Sequence, residues 1–285
     1  MDGTVHYLDE LRKDYETNAK AQAGSIDSYN DKLSKANLLE KEFKGVPISR
    51  ITKERIEQFI VKRRADNKSN TTINHDLKAL RKYLDVAVSK SFCKQNAARL
   101  VTLLPEEKNR IPRCLYPLEL ERFVKALEQM THLLDGEVHW VMQLLLLSGL
   151  RRSELVGLKP ENIKLELRQI HVLGKGRKNR VVGIHDDILQ ELKARVAKGQ
   201  IVPALHPGSI THAFKKIIRA GELSDDLTLH SLRHSYISYL LEGGTPIAQV
   251  RDRAGHSSLE TTNRYTHAIP SEFSLENVIR SPFKS

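Results

Sequence analysis

The chain has 285 residues, 40% of them hydrophobic, which suffices for two ordinary domains and excludes an intrinsically disordered protein. No apolar run approaches the ~20 residues of a membrane-spanning helix, and the polar start at Met1 lacks a secretory signal, so we expect a cytoplasmic protein. The net charge of +11, positive in both halves of the chain, favours a polyanionic partner such as nucleic acid, although many globular proteins of similar charge bind none.

Residues 1–104 are predicted to form a bundle of four or five α-helices. Apolar residues between Ile73 and Val88 recur every three or four positions, which places them on one face of a helix. Ser25 is a candidate N-cap for a second helix that runs toward Phe43, and a third helix is predicted to start near Thr52.

Two basic clusters are predicted on exposed faces of this bundle. The first is Lys62, Arg63 and Arg64, and the second is Arg81 and Lys82. Lys and Arg side chains neutralise phosphates, so these residues are candidates for contacting nucleic acid. Such clusters are equally often an ordinary solvated surface.

A charged, non-periodic stretch bracketed by prolines, residues 105–113, is predicted to link this bundle to a second domain, residues 114–285. In that domain Pro117 is expected to start a helix, and a strongly apolar helix follows. Alternating β-branched residues on either side of a glycine turn predict a β-hairpin between Gln169 and Ile184. Helices are then predicted at residues 187–198, 209–220, 230–242 and 246–253.

Two further helix starts in the second domain are predicted from capping residues. Thr245 is expected to be an N-cap with Pro246 at the first helical position. Ser257 and Glu260 fit a capping box that starts a short helix. Tyr265 would then lie near the far end of that helix.

The second domain contains residue types suited to cleaving a phosphodiester without a metal ion. Such chemistry requires a nucleophile, cationic donors for the non-bridging oxygens and an acid for the leaving alcohol. Gly149 closes the apolar helix, so Arg151 is expected to emerge from a buried element, with Glu154 three residues further on to orient its guanidinium. Considered alone, this segment is also typical of an ordinary helix end.

A second group of candidates lies on the helix predicted at residues 230–242. His230 and Arg233 are three residues apart and therefore share a face. His230 and His234 have the spacing of a zinc pair, but Ser231 stands where a zinc protease helix has glutamate. No metal site is therefore expected.

Considered together, these segments resemble the tyrosine recombinases, or phage integrase family. Motif matches cover residues 115–268, whereas residues 1–104 match only in architecture; the compact length favours a Xer-like or mobile-element enzyme. The residues that carry the resemblance are Gly149-Leu150-Arg151-Arg152-Ser153-Glu154-Leu155, Gly174-Lys175-Gly176, Leu229-His230 with Arg233-His234, Gly255-His256-Ser257 and Tyr265.

The resemblance implies a role for each matching residue. Tyr265 would attack the scissile phosphate, leaving a 3′-phosphotyrosyl bond and a free 5′-hydroxyl, while Arg151 and Arg233 would hold the non-bridging oxygens. His230 and His256 would assist by hydrogen bonding and by proton transfer at the tyrosine.

The resemblance further implies that Lys175, in the hairpin turn, protonates the leaving 5′-oxygen. Lys178 lies close to it in sequence, so the identity of this acid is less secure, and Lys178 is also a candidate for contacting DNA. Glu154 would support Arg151 from behind. No metal, ATP or other cofactor is implied.

The fold implied is mainly α-helical, with an N-terminal SAM-like core-binding bundle and a mostly helical catalytic domain that carries a small β-hairpin. The implied assembly is a homotetramer acting on two specific DNA sites through a Holliday junction. The tail, residues 269–285, would dock on a neighbouring protomer or on its own domain. Two alternatives remain open: a type IB topoisomerase-like enzyme, and a catalytically silent DNA-binding regulator on the same scaffold.

Overall fold

The computed structural model describes residues 4–23, 26–106, 111–173 and 179–266. The chain divides into two compact units, Met1–Lys108 and Asn109–Ser285. Within the described ranges, no helix has both the length and the apolar character needed to cross a membrane.

Unit 1 is an α-helical bundle, as predicted. Thr52 caps α3 by accepting a hydrogen bond from the backbone N–H of Arg55, and Ser69 caps α4 in the same way through Thr72. The predicted cap Ser25 lies outside the described residues. The helices are α1 (Arg12–Gln22), α2 (Ile26–Glu42), α3 (Lys53–Ala65) and α4 (Asn70–Ser89), with single 3₁₀ turns at Leu8–Leu11, Ile48–Arg50 and Ala97–Arg99.

Helix α4 forms the centre of unit 1, because its apolar stripe is buried from Ile73 to Leu84. Tyr83 is fully buried on this stripe and stacks on Tyr15 of α1, with ring centroids 4.2 Å apart. Residues at the end of the unit pair with the same helix: the side chain of Asn74 exchanges hydrogen bonds with the backbone of Leu104. The chain is therefore fixed to α4 immediately before the predicted linker begins. Residues 107–110 of that linker lie outside the described ranges.

The two basic clusters are only partly on the surface. Lys62, Arg64 and Lys82 are exposed. The prediction of exposure is wrong for Arg63, whose side chain is only 11% exposed and is paired with Asp76. It is also wrong for Arg81, whose guanidinium donates to backbone carbonyl oxygens in the Ala97–Arg99 turn region. Both arginines donate hydrogen bonds to buried acceptor atoms of their own unit. A run of basic residues in the sequence does not reveal such contacts.

Unit 2 combines eight helices in its described part with a small sheet. Pro117 begins the first of them and Gly149 ends the second in a left-handed conformation, both as predicted. The helices are α5 (Pro117–Gln129), α6 (Val138–Ser148), α7 (Arg152–Val156), α8 (Asp186–Ala197), α9 (Pro207–Ala220), α10 (Leu229–Glu242), α11 (Ile247–Ala254) and α12 (Leu259–Asn263).

The predicted hairpin is present and is extended by one strand that the sequence did not indicate. The antiparallel strands are β1 (Ile163–Lys164), β2 (Gln169–Leu173) and β3 (Asn179–Gly183), in that spatial order. Ile170 pairs with Val182, and both are fully buried against the helices. β1 is only two residues long, too short for an alternating pattern to be recognised.

Both predicted helix starts near the end of unit 2 are wrong by one residue. Ser258, not Ser257, caps α12 by accepting a hydrogen bond from the backbone N–H of Thr261. Pro246 occupies the N-cap position of α11, so the helix begins at Ile247. Two adjacent serines made the start of α12 ambiguous, and at α11 the helix begins one residue after the proline expected at its first position.

Candidate active site

Arg151 lies at the N-cap of α7, directly after the buried end of α6. Its Nη1 donates to Oε1 of Glu154 at 2.8 Å, and its backbone N–H donates to Oε2 at 2.6 Å. The predicted contact between these two residues is therefore present. The Arg151 side chain remains 38% exposed, so its guanidinium is oriented by a buried carboxylate while part of it stays accessible.

A second arginine shares that carboxylate. Arg180 of β3 donates from Nη1 to Oε1 of Glu154 at 2.5 Å and from Nη2 to Oε2 at 2.9 Å. Burial alone would raise the pKa of Glu154, but the hydrogen bonds and charge of Arg180, with those of Arg151, lower it to about 2. Glu154 is therefore ionised at neutral pH and fully hydrogen-bonded.

Arg233 on α10 is buried, with 5% exposure, as part of the framework of the site. Its Nη1 donates to the carbonyl oxygen of Gly149 and its Nη2 to that of Ala254. Burial and the charges of Arg151 and Arg180 lower the pKa of Arg233 to about 10, so it remains a cation at neutral pH. This single side chain connects the end of α6, helix α10 and the end of α11.

Two glycines allow these segments to approach one another. Gly149 has a φ of +60°, and a Cβ there would lie 2.3 Å from Cδ1 of Tyr236. Gly255 has a φ of +64°, and a Cβ there would lie 2.7 Å from Cδ of Arg180. At both positions, a larger residue would fit neither the backbone conformation nor the available space.

The phenol of Tyr265 is hydrogen-bonded to a histidine that the sequence reasoning had not placed in the site. Its oxygen lies 2.7 Å from Nδ1 of His234. Burial, His230 and Arg233 lower the pKa of His234 to about 4, so its imidazole is neutral and Nδ1 can accept the bond. The Tyr265 ring is 6% exposed and packs on Ile237, and its burial raises the pKa of the phenol.

His256 neighbours Tyr265 and His230 neighbours His234. The ring of His256 stacks on Tyr265, with centroids 5.9 Å apart, and its Nδ1 lies 2.9 Å from the hydroxyl of Thr262. Burial and the charge of Arg233 lower the pKa of His256 to about 4. His230 is open to solvent, yet the surrounding protein and Arg233 lower its pKa as well. The site therefore contains neutral imidazoles beside charged guanidiniums.

The structure thus brings together the predicted residues Arg151, Glu154, Arg233, His256 and Tyr265 through direct contacts or shared partners. Lys175 and Lys178 lie outside the described residues, between β2 and β3. The sequence reasoning missed Arg180 and His234. A signal existed for Arg180: in β3, residues 180 and 182 share one face, and Val182 belongs to the core.

Comparison with known proteins assigns the chain to a family. Residues 113–272 match the Phage integrase family, and residues 7–91 match the phage integrase N-terminal SAM-like domain. The chain is 29% identical over 226 residues to tyrosine recombinase XerD of Lacticaseibacillus casei, covering 74% of this chain and 76% of that protein. It is 30% identical over 215 residues to tyrosine recombinase XerC of Corynebacterium efficiens, covering 71% and 69%.

The fold is similar to that of a lambda integrase dimer bound to a COC′ core site. The TM-score is 0.76 at 17% identity, and the match covers 93% of this chain and 78% of the other. The mainly helical fold, with an N-terminal SAM-like domain and a small antiparallel sheet, agrees with the sequence prediction. The chain belongs to the phage integrase family and is a tyrosine site-specific recombinase.

Proposed function

We propose that Tyr265 is the nucleophile that cleaves one DNA strand and forms a 3′-phosphotyrosyl bond. The observation that supports this most strongly is the placement of its phenol oxygen on His234, beside the segments that Arg233 connects. Attack requires the phenol to lose its proton. The nearby cations Arg233 and Arg151 favour the phenolate, opposing the effect of burial on the pKa of Tyr265.

Arg151 and Arg233 are proposed to bind the non-bridging oxygens of the scissile phosphate. Planar guanidiniums match the geometry of phosphate oxygens and remain charged at neutral pH. Because both cations are held by hydrogen bonds before substrate arrives, charge that develops on the phosphorane meets donors already in place. His230 and His256 are proposed to assist with hydrogen bonds and proton transfer, and Lys175 to protonate the leaving 5′-oxygen.

We further propose that four copies exchange strands between two specific DNA sites through a Holliday junction, and that they act in the cytoplasm. Residues 1–104 would form a DNA-contacting core-binding domain, linked by residues 105–113 to the catalytic domain. The tail would dock on a neighbouring protomer. Deleting residues 272–285 is then expected to leave DNA binding intact and to impair recombination between two sites; unchanged recombination would contradict docking between protomers.

Covalent capture tests the proposed chemistry. Nicked duplexes prepared from sheared DNA of the source genome are incubated with protein, without metal ion or ATP, and protein-bound DNA is isolated under denaturing conditions. Wild type is expected to capture strands whose 3′ end is blocked by the protein and resists extension by terminal transferase, whereas their 5′ end is labelled by polynucleotide kinase after dephosphorylation. Tyr265→Phe should capture none, whereas the matched control Tyr116→Phe, an exposed tyrosine in the same unit, should behave as wild type.

Four results would contradict the proposal. Capture by Tyr265→Phe would identify a different nucleophile, and captured strands with a blocked 5′ end and an extendable 3′-hydroxyl would reverse the polarity of the linkage. The absence of capture by wild type across the whole genomic library would favour a silent DNA-binding regulator. Relaxation of supercoiled plasmid without strand exchange between sites would favour the topoisomerase alternative.

A further inference from the structure

Arg180 has no part in the proposed chemistry, although it contacts the residue that orients Arg151. We propose that Arg180 is a positioning residue that keeps the guanidinium of Arg151 available to the scissile phosphate by occupying the carboxylate of Glu154. This inference rests on the proposed function, in which Arg151 binds that phosphate.

Two arginines share the carboxylate of Glu154 unequally. Arg180 engages Glu154 with both terminal nitrogens, one to each oxygen. The guanidinium of Arg151 engages it through Nη1 alone. In the described part of the chain, Nε and Nη2 of Arg151 have no protein partner. Those nitrogens remain as donors for a phosphate oxygen.

Removing Arg180 would change how the two oxygens of Glu154 are shared between the arginines. A carboxylate and a guanidinium form their strongest pair in the two-bond, fork-to-fork arrangement. Without Arg180, the buried carboxylate of Glu154 would lose two of its hydrogen bonds, and such a group must find new donors. Arg151 is the adjacent donor. A second bond from the Arg151 guanidinium to Glu154 would draw its remaining nitrogen donors away from the phosphate.

Charge leads to the same conclusion. With both arginines present, the cluster of Arg151, Arg180 and Glu154 carries a net positive charge next to the phosphate position. With Arg180 absent, Glu154 and Arg151 would neutralise each other. Arg180 is not placed to replace Arg151 as a phosphate ligand, because its Nε already donates to Arg253 and both of its Nη atoms donate to Glu154.

Arg180 is itself held from behind. Its Nε donates to the carbonyl oxygen of Arg253 at 2.8 Å, and its aliphatic stem fills the space left by the missing side chain of Gly255. A purely architectural role for Arg180 would therefore also weaken the protein. The test must separate that role from an effect exerted through Glu154.

Removing the carboxylate achieves this separation. In Arg180→Gln, Arg151 is expected to be trapped by Glu154. In the double variant Glu154→Gln/Arg180→Gln, the bond to Arg253 is still lost, but no charged carboxylate remains to trap Arg151. Availability of Arg151 should therefore fall in the single variant and recover in the double variant. An architectural defect would persist in both.

The first measurement uses no DNA. Phenylglyoxal modifies accessible guanidiniums, and peptide mass spectrometry gives the labelling rate of Arg151 relative to the exposed Arg64 as an internal reference. Labelling of Arg151 is expected to slow severalfold in Arg180→Gln and to return to the wild-type rate in the double variant. Equal rates in wild type and Arg180→Gln would overturn the proposal, whether or not the protein cleaves DNA.

The second measurement is the rate of covalent complex formation on a nicked duplex that wild type captures. Arg180→Gln is expected to be slower by about 100-fold, the loss typical of removing one donor to a transition-state oxyanion, with DNA affinity retained. The double variant should recover much of that rate. A double variant as slow as Arg180→Gln would overturn the proposal and leave Arg180 an architectural role only.

Controls keep the outcomes distinct. Arg168→Gln removes an arginine from a surface pair with Asp186 in the same sheet region and should match wild type in both assays. Tyr265→Phe should lose covalent complex formation but keep the labelling pattern, so failure of the proposed nucleophile is separable from failure of the Arg180 inference. If Arg180→Gln does not fold, Arg180→Lys replaces it, because lysine retains the charge but cannot bridge both oxygens of Glu154.

Discussion

The Nδ1 atom of His234 lies 2.7 Å from the phenol oxygen of Tyr265, and the tyrosine ring packs against Ile237 of α10 and Val250 of α11. A neutral histidine with a pKa of about 4 is a weak base for a phenol whose own pKa is raised. This difference in pKa argues against direct transfer of the phenol proton from Tyr265 to His234 in the resting protein. The contact instead fixes the direction of the phenol oxygen.

His234→Ala is therefore expected to slow covalent complex formation by about tenfold, the equivalent of one hydrogen bond of ~1.4 kcal/mol. His234→Gln should retain part of the rate, because its amide oxygen can accept the phenol hydrogen bond. The rate on a captured nicked duplex is the measurement, and His171→Ala on β2 is the matched control. A rate for His234→Ala at or above that of wild type would show that the contact restrains the tyrosine.

Acidification should destabilise unit 2 through its half-buried histidines. The folded pKa values of His234 and His256 are about 4, against ordinary values of 6.5. Between those values the unfolded chain binds more protons than the folded one, so stability falls as pH decreases from 6.5 to 4. The pKa of Glu154 is lowered to about 2, so its contribution to stability is lost only at lower pH.

Trp140 provides the measurement. It is the single tryptophan of the chain and is buried in unit 2, so its fluorescence follows the thermal unfolding of that unit alone. The midpoint should fall between pH 6.5 and pH 4, and His234→Gln should reduce the slope. A slope unchanged by this substitution would contradict the assignment to His234.

Replacement of Gly149 by alanine should be strongly destabilising. Left-handed backbone costs a non-glycine residue about 1–2 kcal/mol, and the added methyl group would meet the ring of Tyr236 at 2.3 Å. Gly199→Ala is the matched control: Gly199 has a φ of +74° but no atom within 4 Å of a Cβ. In urea unfolding followed through Trp140, Gly149→Ala should lose at least about 2 kcal/mol more than the control. Equal losses would show that Tyr236 moves aside freely.

The adjacent residues Arg63 and Arg64 of unit 1 should have different roles, with Arg63 stabilising the fold and Arg64 contacting DNA. Arg63 pairs with the fully buried Asp76, so Arg63→Ala should lower the free energy of unfolding by about 3 kcal/mol. Arg64 is exposed, so Arg64→Ala should leave stability intact. If Arg64 contacts DNA, its loss should weaken duplex binding and reduce the salt dependence of log K by about one unit.

Circular dichroism and a fluorescent duplex titrated at several salt concentrations measure the two effects. A destabilised Arg64→Ala would contradict this division. So would an Arg63→Ala variant of unchanged stability.

The sequence predicted most helices because their apolar stripes and capping residues are local signals. Thr52, Pro117 and Gly149 each stand where a helix begins or ends for a reason contained within a few residues. The start of α12 could not be settled in this way, because Ser257 and Ser258 both fit a capping pattern. The local sequence did not distinguish the two serines, and the structure has Ser258 as the cap.

Long-range contacts account for what the sequence missed in the site. Glu154 was expected to support Arg151 because the two are three residues apart, but its other partner, Arg180, is 26 residues away on a strand. His234 was assessed as a possible zinc ligand with His230 and as part of the motif that carries the resemblance, without a role in the site. Its contact with Tyr265, 31 residues further on, depends on how α10 and α11 pack.

Arg233 gives the site an unusual evolutionary constraint. The same guanidinium that is proposed to bind phosphate also holds the main chain at Gly149 and Ala254. A descendant that abandoned strand cleavage could discard Tyr265 at little cost in fold, since a phenylalanine would fill the same space. Losing Arg233 would leave two buried carbonyl oxygens unpaired. Relatives that have stopped cleaving DNA should therefore lose the tyrosine that corresponds to Tyr265 first. They should retain the arginine that corresponds to Arg233, because the fold still depends on it.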